Sequence, residues 1–501
     1  MADVFYGTDA NDQINQGASV LNSSSVIAAF GNGGDDTIVF NASNTQASIF
    51  VAGGSGSDAI GVANFGTTTI YGGNGTSDPT DAADVINFGG GGTVNIFANA
   101  GADTTTVNVD GTGIANIFAG TGNDQVVANG LRSSLFVAGG EGSDNISVSN
   151  TGGATTIFGG ISSSDAGDAG DAIHVVGVGN AGTWNIFANG GNDLVDATAV
   201  GAFGTGANVS IYAGIGQDTV SVGSVSATAG SKGSTIFVAG GEGSDNITVN
   251  SNGATTIWGG ASQNDAADGA DTIGIYGSGT SFVFGNGGDD VITVGVNLQD
   301  ASTKATINGG AGNDTLVVSS VSVPGSNVGT ITLTGGAGAD VFVMPSSAMS
   351  SVTVTDFSIL DGDQIHLTGG GGLTGPILGV LGNFNNLQDA LNAATNVTTL
   401  VTGSGDGTLG GLLGGVVGTV TGLVGNVLGI TGVVGADGGL LANVGIGAPA
   451  ANALTAVVQG GDTYLISNDG VKGYDANLDK VIKLTGVTDL TGGLLSHVAL
   501  V

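Results

Sequence analysis

Over the first 345 residues the apolar side chains follow a period of two, interrupted at intervals by a short glycine turn. The residue two places before the turn is aliphatic in Val51, Ile70, Ile96, Ile117, Val137, Ile157, Ile186, Ile211, Val238, Ile257, Val283, Ile307 and Leu333. Beyond the turn, aliphatic residues resume at alternate positions, as in Ile146/Val148, Val220/Val222, Ile247/Val249 and Ile292/Val294. Alternation with one apolar face predicts half-buried strands. Each unit therefore reads as strand, glycine turn, strand, then a second turn of irregular length. The stretch Leu135 to Ile173 returns with little change at Ile236 to Ile273, and a looser copy runs from Phe50 to Ile86. Repetition on this scale predicts a solenoid in place of several globular domains.

The turns carry the candidate chemistry. Twelve of them close on Asp12, Asp36, Asp58, Asp103, Asp124, Asp144, Asp193, Asp218, Asp245, Asp290, Asp314 and Asp340. Three longer ones open at Gly72, Gly159 and Gly259 and close on Asp84, Asp171 and Asp271, giving fifteen coils. The form GGxGxD, with an apolar strand on each side, is the nonapeptide signature of a calcium-binding β-solenoid. Glycine admits positive φ, so carbonyl oxygens can turn inward, and Asp adds a carboxylate to the six to eight oxygens that calcium takes. Without a cation, carboxylates stacked ~5 Å apart repel by ~1 kcal/mol per pair in water and by a few kcal/mol near a protein surface. Over fifteen coils that rivals a typical total stability of ~5–15 kcal/mol. Asp35 and Asp289, which precede the closing Asp in two turns, join the candidate ligands. The expectation is roughly one Ca²⁺ per pair of adjacent coils, along the Gly-rich edge.

Composition sharpens this reading. The net charge is −35, and all but two of the 41 acidic residues are Asp, the exceptions being Glu141 and Glu242. Six Lys and Arg cannot neutralise a phosphate backbone, which argues against nucleic acid as a partner. With no Cys, disulfides and thiolate zinc sites are excluded. The start MADVFYGTDANDQI lacks a charged segment followed by an apolar one, so no Sec-type leader is visible.

These turns resemble those of the RTX (repeats-in-toxin) proteins of Gram-negative bacteria, over roughly residues 1 to 367. The phrase TDF…GDQIHL (Thr355 to Leu367) is similar to the end of RTX blocks, and GDTYLI…KVIKLTGV…L to their C-terminal secretion region. The resemblance implies an all-β protein: a right-handed parallel β-roll (β-solenoid) of about fifteen coils with Ca²⁺ along one edge, followed by a smaller mixed C-terminal region. It also implies export by type I secretion machinery to the cell exterior. Within the family, the character is most like that of calcium-dependent surface-layer proteins, which are rich in Gly, Ala, Thr and Asp, lack Cys and have no catalytic domain.

Two further features repeat. The longer turns each hold an i, i+3, i+6 row of Asp: Asp78, Asp81, Asp84; Asp165, Asp168, Asp171; Asp265, Asp268, Asp271. They read either as extra calcium sites or as solvated loops whose last Asp replaces the usual ligand. The residue just before the turn should point outward, and in ten coils it is aromatic: Tyr6, Phe30, Tyr71, Phe97, Phe118, Phe158, Phe187, Tyr212, Trp258 and Phe284. Ala52, Ala138 and Ala239 interrupt the row. Such a ladder is either a lateral assembly face, because monomers rarely show so much apolar surface, or a self-stacked rib that stiffens the sheet.

The chain divides into the roll (1–345), its end and a connector (346–385), a short helix plus an apolar Gly/Val/Leu-rich segment (386–460), and a strand-like tail (461–501). The helix is expected at Asn386 to Thr395. In Leu409 to Val434 glycine recurs every three or four residues, predicting either a connector ordered by a neighbouring subunit or a cap over the solenoid's end. No transmembrane span is expected in an exported chain. Neither HExxH nor GxSxG occurs, and His174, His366 and His497 lie far apart, so catalysis finds no motif. The function expected is a secreted, calcium-dependent structural protein that self-assembles into a surface layer or filament. Its rivals are a surface adhesin or carbohydrate-binding module acting on cell-surface polysaccharide and, behind it, a polysaccharide-modifying enzyme. Ice binding is disfavoured, since the pairs Thr68/Thr69, Thr155/Thr156 and Thr255/Thr256 recur in only one coil of four.

Overall fold

The computed structural model describes residues 2–16, 26–42, 47–175, 182–198, 206–223, 233–298, 300, 302–319, 329–345 and 352–368. It also describes 377–380, 432–433, 454–459, 461–467, 480–487 and 498–500. All regular structure among these residues is β, with no helix. The chain separates into two units, Met1–Ser281 and Phe282–Val501.

The first unit is a parallel β-solenoid. Strands that enter the glycine turns form one parallel sheet, and strands that leave them form another, over twelve coils from Ala2–Tyr6 with Gln13–Gln16 to Ala254–Trp258 with Thr272–Gly277. Register follows the aliphatic residues. Ile70, Ile96, Ile117, Val137, Ile157, Ile186, Ile211, Val238 and Ile257 stand directly above one another in the entering sheet, all at 0 % exposure. Ile146, Ile173, Val195, Val220, Ile247 and Ile273 do the same in the leaving sheet. A one-residue slip would turn a whole column to solvent, at about 1.5–3 kcal/mol per side chain, so the apolar pattern fixes the register.

The turns are tight because coils stack backbone on backbone. Gly140 and Gly142 have φ of 113° and 128°, and a Cβ on Gly140 would lie 1.7 Å from the Gly120 carbonyl oxygen. Glycine is required there both by φ and by the neighbouring coil. The irregular second turns contain interior polar bonds. Asn150 is buried and donates from Nδ2 to Thr155 Oγ1 at 3.0 Å and to the Ser133 carbonyl at 2.9 Å, and Asn64 donates likewise to Thr68. Thr68 and Thr155 are buried with these bonds, and Thr255 is buried as well, its hydroxyl without a partner. One threonine of each pair faces inward, which removes the flat outward array that ice binding would need.

In the second unit the same pattern continues through Thr280–Gly287, Val291–Val296, Lys304–Ala311, Thr315–Val318, Thr330–Ala337 and Val341–Pro345. One further coil, Val352–Val354 with Gln364–Thr368, pairs in parallel beyond Asp340, where the glycine motif has ended. The tail is mixed. Lys480–Leu484 pairs in parallel with the strand at Val352–Val354, and Val498–Leu500 with the strand at Gln364–Thr368, so both sheets are extended by strands of the C-terminal region. Asp462–Ser467 lies antiparallel between Leu454–Gln459 and Lys480–Leu484. Lys483 Nζ holds Asp462 Oδ2 at 2.8 Å across that pair.

The helix expected at Asn386 to Thr395 lies outside the described residues, as does nearly all of Leu409 to Val434. From the latter, Gly432–Val433 forms a two-residue strand beside Gly379–Val380. Among the described residues no helix is long and apolar enough to cross a membrane. The backbone argument is open to measurement: Gly140→Ala should lower the unfolding free energy by more than ~1 kcal/mol. Gly75→Ala, where nothing lies within 4 Å of the added Cβ, should stay within ~0.5 kcal/mol in urea melts followed by circular dichroism.

Candidate metal edge

The closing Asp of each turn is buried, not displayed. In the first unit the backbone N–H of one closing Asp donates to Oδ1 of the next coil's closing Asp at 2.7–2.8 Å. The series runs Asp12, Asp36, Asp58, Asp84, Asp103, Asp124, Asp144, Asp171, Asp193, Asp218, Asp245, Asp271. The second unit repeats it at 2.9 Å through Asp290, Asp314, Asp340 and Asp363. From Asp36 onward these residues are at most 3 % exposed. Asp363 is a ladder member that the glycine motif does not announce; the signal is GDQIHL, with Ile365 and Leu367 at the usual alternate positions and buried.

The second carboxylate oxygen has a different fate. Oδ2 of Asp36, Asp58, Asp84, Asp103, Asp124, Asp144, Asp171, Asp193, Asp218, Asp245, Asp314 and Asp340 is buried without a hydrogen-bond partner. Where the turn opens on glycine, as at Gly31, Gly53, Gly72, Gly139, Gly159, Gly240 and Gly309, this oxygen lies over that glycine, beside a carbonyl oxygen of the next coil. A Cβ on Gly31 would be 2.1 Å from both Asp36 Oδ2 and the Gly53 carbonyl oxygen. A Cβ on Gly139 would be 2.2 Å from Asp144 Oδ2 and 2.4 Å from the Gly159 carbonyl oxygen. Missing side chains thus leave a space bordered by a carboxylate and a carbonyl, the donor chemistry that calcium prefers. Ala98, Ala119, Ala188 and Ala213 place a methyl group there in the turns closing on Asp103, Asp124, Asp193 and Asp218. The fit to a cation is therefore with the glycine coils, which alternate two by two with the alanine coils between the turns closing on Asp58 and Asp271. No group of three or more His, Asp or Glu side chains among the described residues is arranged to hold a metal, so carbonyl oxygens would have to complete any such site.

Charge is costly at this edge. Burial, aided by neighbouring carboxylates, pushes the Asp58 carboxyl up to about 6, Asp144 and Asp245 to about 7, Asp103 and Asp193 to about 8, and Asp84 and Asp171 to about 9. The N–H donated by the preceding coil pulls each part of the way back. In the second unit Asp314 is pushed to about 7 and Asp340 to about 6 by the same burial. An oxygen so placed is neutralised either by a proton or by a cation.

Other candidate ligands fall elsewhere. Asp12 accepts from the Thr8 hydroxyl at Oδ2, at 2.8 Å, and is half-buried. Asp35 and Asp289 sit on the outer side of the turn, where Oδ1 accepts the N–H of Ser57 and of Asn313. Asn123 and Asn192 do the same for Ser143 and Gln217, so this position calls for an acceptor and not for a charge. In the longer turns the three Asp separate. Asp78 bonds within its own loop, to Asn74 and Thr80, and Asp165 and Asp265 accept backbone N–H groups two residues on. Asp81 and Asp168 turn inward over Gly73 and Gly160, next to the glycines that Asp84 and Asp171 cover, and Oδ2 of Asp268 is buried.

On the outer face of the entering sheet the aromatic residues form one column. Tyr6, Phe30, Phe50, Tyr71, Phe97, Phe118, Phe136, Phe158, Phe187, Tyr212, Phe237 and Trp258 follow one another with centroids 4.7–5.4 Å apart. Phe50, Phe136 and Phe237 fill the places that Ala52, Ala138 and Ala239 leave open, from two residues upstream on the same face. A search confined to the pre-turn position misses them; the period of two includes them. Most rings are half-buried, Phe284 among them in the second unit. His174 lies on the leaving sheet with Nδ1 3.7 Å from Asp196 Oδ2 one coil on.

Comparison with protein-family models, with curated proteins and with solved structures finds no match to this chain.

The raised carboxyls set the sign of the pH dependence. A group whose pKa is higher folded than unfolded stabilises the fold fully below its unfolded value, near 4, and loses that contribution as pH rises through the folded value. In a chelator, the strand signal in circular dichroism should therefore be strongest near pH 4–5 and decay between about pH 6 and 9, the range of the Asp58 to Asp171 values. A metal-free fold equally stable at pH 5 and pH 9 would contradict this account of the edge.

Proposed function

We propose that this protein is a secreted, calcium-folded structural protein that assembles with copies of itself into a surface layer or filament. The observation that carries the reading is the ladder of buried closing Asp residues within each unit, with one oxygen held by the N–H of the preceding coil and, from Asp36 to Asp245 and at Asp314 and Asp340, the other in want of a counter-charge. Asp36, Asp58, Asp84, Asp144, Asp171, Asp245 and Asp314 would hold Ca²⁺ together with carbonyl oxygens of adjacent turns. Calcium supplies there the positive charge that a stack of carboxylates needs near neutral pH. Outside a cell, where calcium is abundant, folding is favoured; inside, the chain stays open for export. Its resemblance to RTX proteins supports a type I route, with the region 461–501 as the export signal.

Self-assembly rests on the aromatic column. Its rings give much of their surface to one another, yet most stay half-exposed along twelve coils, a long continuous strip for a lone molecule. The same strip supports the second reading, an adhesin or carbohydrate-binding module. Self-stacking favours packing against another copy, because rings about 5 Å apart leave no room for a sugar ring between them.

Negative-stain microscopy separates these readings. Millimolar calcium should produce sheets or fibres that a chelator disperses. Phe97→Ser, Phe118→Ser and Phe187→Ser combined should keep the calcium-dependent circular dichroism and lose the assembly. Monodisperse particles in calcium that bind a polysaccharide would establish the adhesin instead, and a fold indifferent to chelation near neutral pH would remove the calcium reading.

A further inference from the structure

Every fourth coil of the first unit closes through a long turn, and the next turn along the chain then carries Asn where most turns carry their second glycine. Asn99 follows the turn 72–84, Asn189 follows 159–171, and Asn286 follows 259–271. Asn32 is the other Asn at this position; it is exposed and donates to the Gly7 carbonyl at 2.8 Å. Asn99 and Asn189 are instead buried, 8 % and 6 % exposed, and their Oδ1 atoms have no partner. The long turn lies directly on the turn that holds each Asn. A Cβ on Gly101 would be 2.6 Å from the backbone of Ala82 and Ala83, and one on Gly190 would be 2.9 Å from that of Ala166.

Inside the turns 72–84 and 159–171 two carboxylates converge over a pair of glycines. A Cβ on Gly72 would meet Asp84 Oδ2 at 2.1 Å and the Ala98 carbonyl oxygen at 2.4 Å, and one on Gly73 would meet Asp81 Oδ2 at 2.5 Å. Around Gly159 and Gly160 the same places belong to Asp171 Oδ2 at 2.1 Å, the Ala188 carbonyl oxygen at 2.4 Å and Asp168 Oδ2 at 2.7 Å. Both oxygens of Asp81, and Oδ2 of Asp84, Asp168 and Asp171, are buried without a partner, with Asp84, Asp168 and Asp171 at most 9 % exposed. Asp268, in the third long turn, also has a buried Oδ2 without a partner.

We propose that Asp81, Asp84 and Asn99, and likewise Asp168, Asp171 and Asn189, form divalent-cation sites of a second kind, each shared between a long turn and the coil after it. The ligand is a hard cation of calcium's size, because the donors are two carboxylates, an amide oxygen and backbone carbonyls on a flexible loop, without the rigid octahedron that magnesium demands. Two carboxylates attract a divalent ion more strongly than the single one of a short turn, so these sites fill first. Occupied sites would pin the solenoid at every fourth coil before the intervening short turns load. The proposal rests on the reading that the turn edge takes calcium.

The test is calcium binding to the full chain, measured by equilibrium dialysis with radioactive calcium. Asn99→Gly/Asn189→Gly is the discriminating variant, since glycine is the ordinary residue at this backbone position and tolerates its φ of 86°. Wild-type protein should show a tight class of sites ahead of the remainder. The Asn-to-Gly pair should weaken two of the tight sites by at least about tenfold. Asp81→Asn/Asp168→Asn should abolish them. Both variants should keep the weaker sites and the strand signal at saturating calcium. Unchanged tight binding in Asn99→Gly/Asn189→Gly overturns the proposal while leaving a calcium-loaded edge intact. Wild-type protein that binds no calcium overturns the edge reading and this proposal with it. Should the Asp variant fail to fold, the Asn-to-Gly result decides alone.

Discussion

The hydrogen bond from the backbone N–H of one closing Asp to Oδ1 of the next is the contact on which the turn edge depends. It orders one carboxylate per coil, fixes the stacking distance of the turns and draws the side chain under the backbone. A carboxylate held in this way has a second oxygen that cannot reach water. The bond that orders the edge therefore also creates its need for neutralisation, and a solvated Asp at the same sequence position would create neither.

The rest of the first unit accommodates that stack. Columns of Ile and Val fill the interior at the spacing the turns impose, and the outer face of the entering sheet answers with one aromatic ring per coil. The ring column has no gap because a side chain two residues upstream lies on the same face and can lean along the strand. Ala52, Ala138 and Ala239 sit beneath such rings at 2–5 % exposure, so small residue and displaced ring form a single packing solution. The four-coil repeat is visible at three places at once: in the long turns, in the displaced rings, and in the alternation of glycine and alanine coils.

The second unit shows how the roll is finished. Its last coil replaces the glycine turn with Thr355 to Asp363, and Asp356 accepts the N–H groups of Gly335 and Gly336 at 2.9 and 2.8 Å. Strands from the C-terminal region then add to both sheets, covering edges that would otherwise offer unpaired N–H and C=O groups to another chain. The C-terminal strands thus complete this end of the fold.

The sequence by itself determined the solenoid, its two sheets and the facing of almost every side chain, because a period of two punctuated by glycine leaves one way to bury the aliphatic residues. It also determined which Asp close the turns. It did not reveal that Asp35 and Asp289 serve the outer side of the turn, that Asp78, Asp165 and Asp265 part from their neighbours, or that Phe50, Phe136 and Phe237 complete the column. Those outcomes depend on which backbone groups of the adjacent coil lie within reach, and adjacent coils are about twenty or more residues apart in the chain. The ladder's extension to Asp363 and the buried amides of Asn99 and Asn189 were decided in the same way. Spacing along one coil specifies which face a side chain takes; only the stack specifies what it meets there.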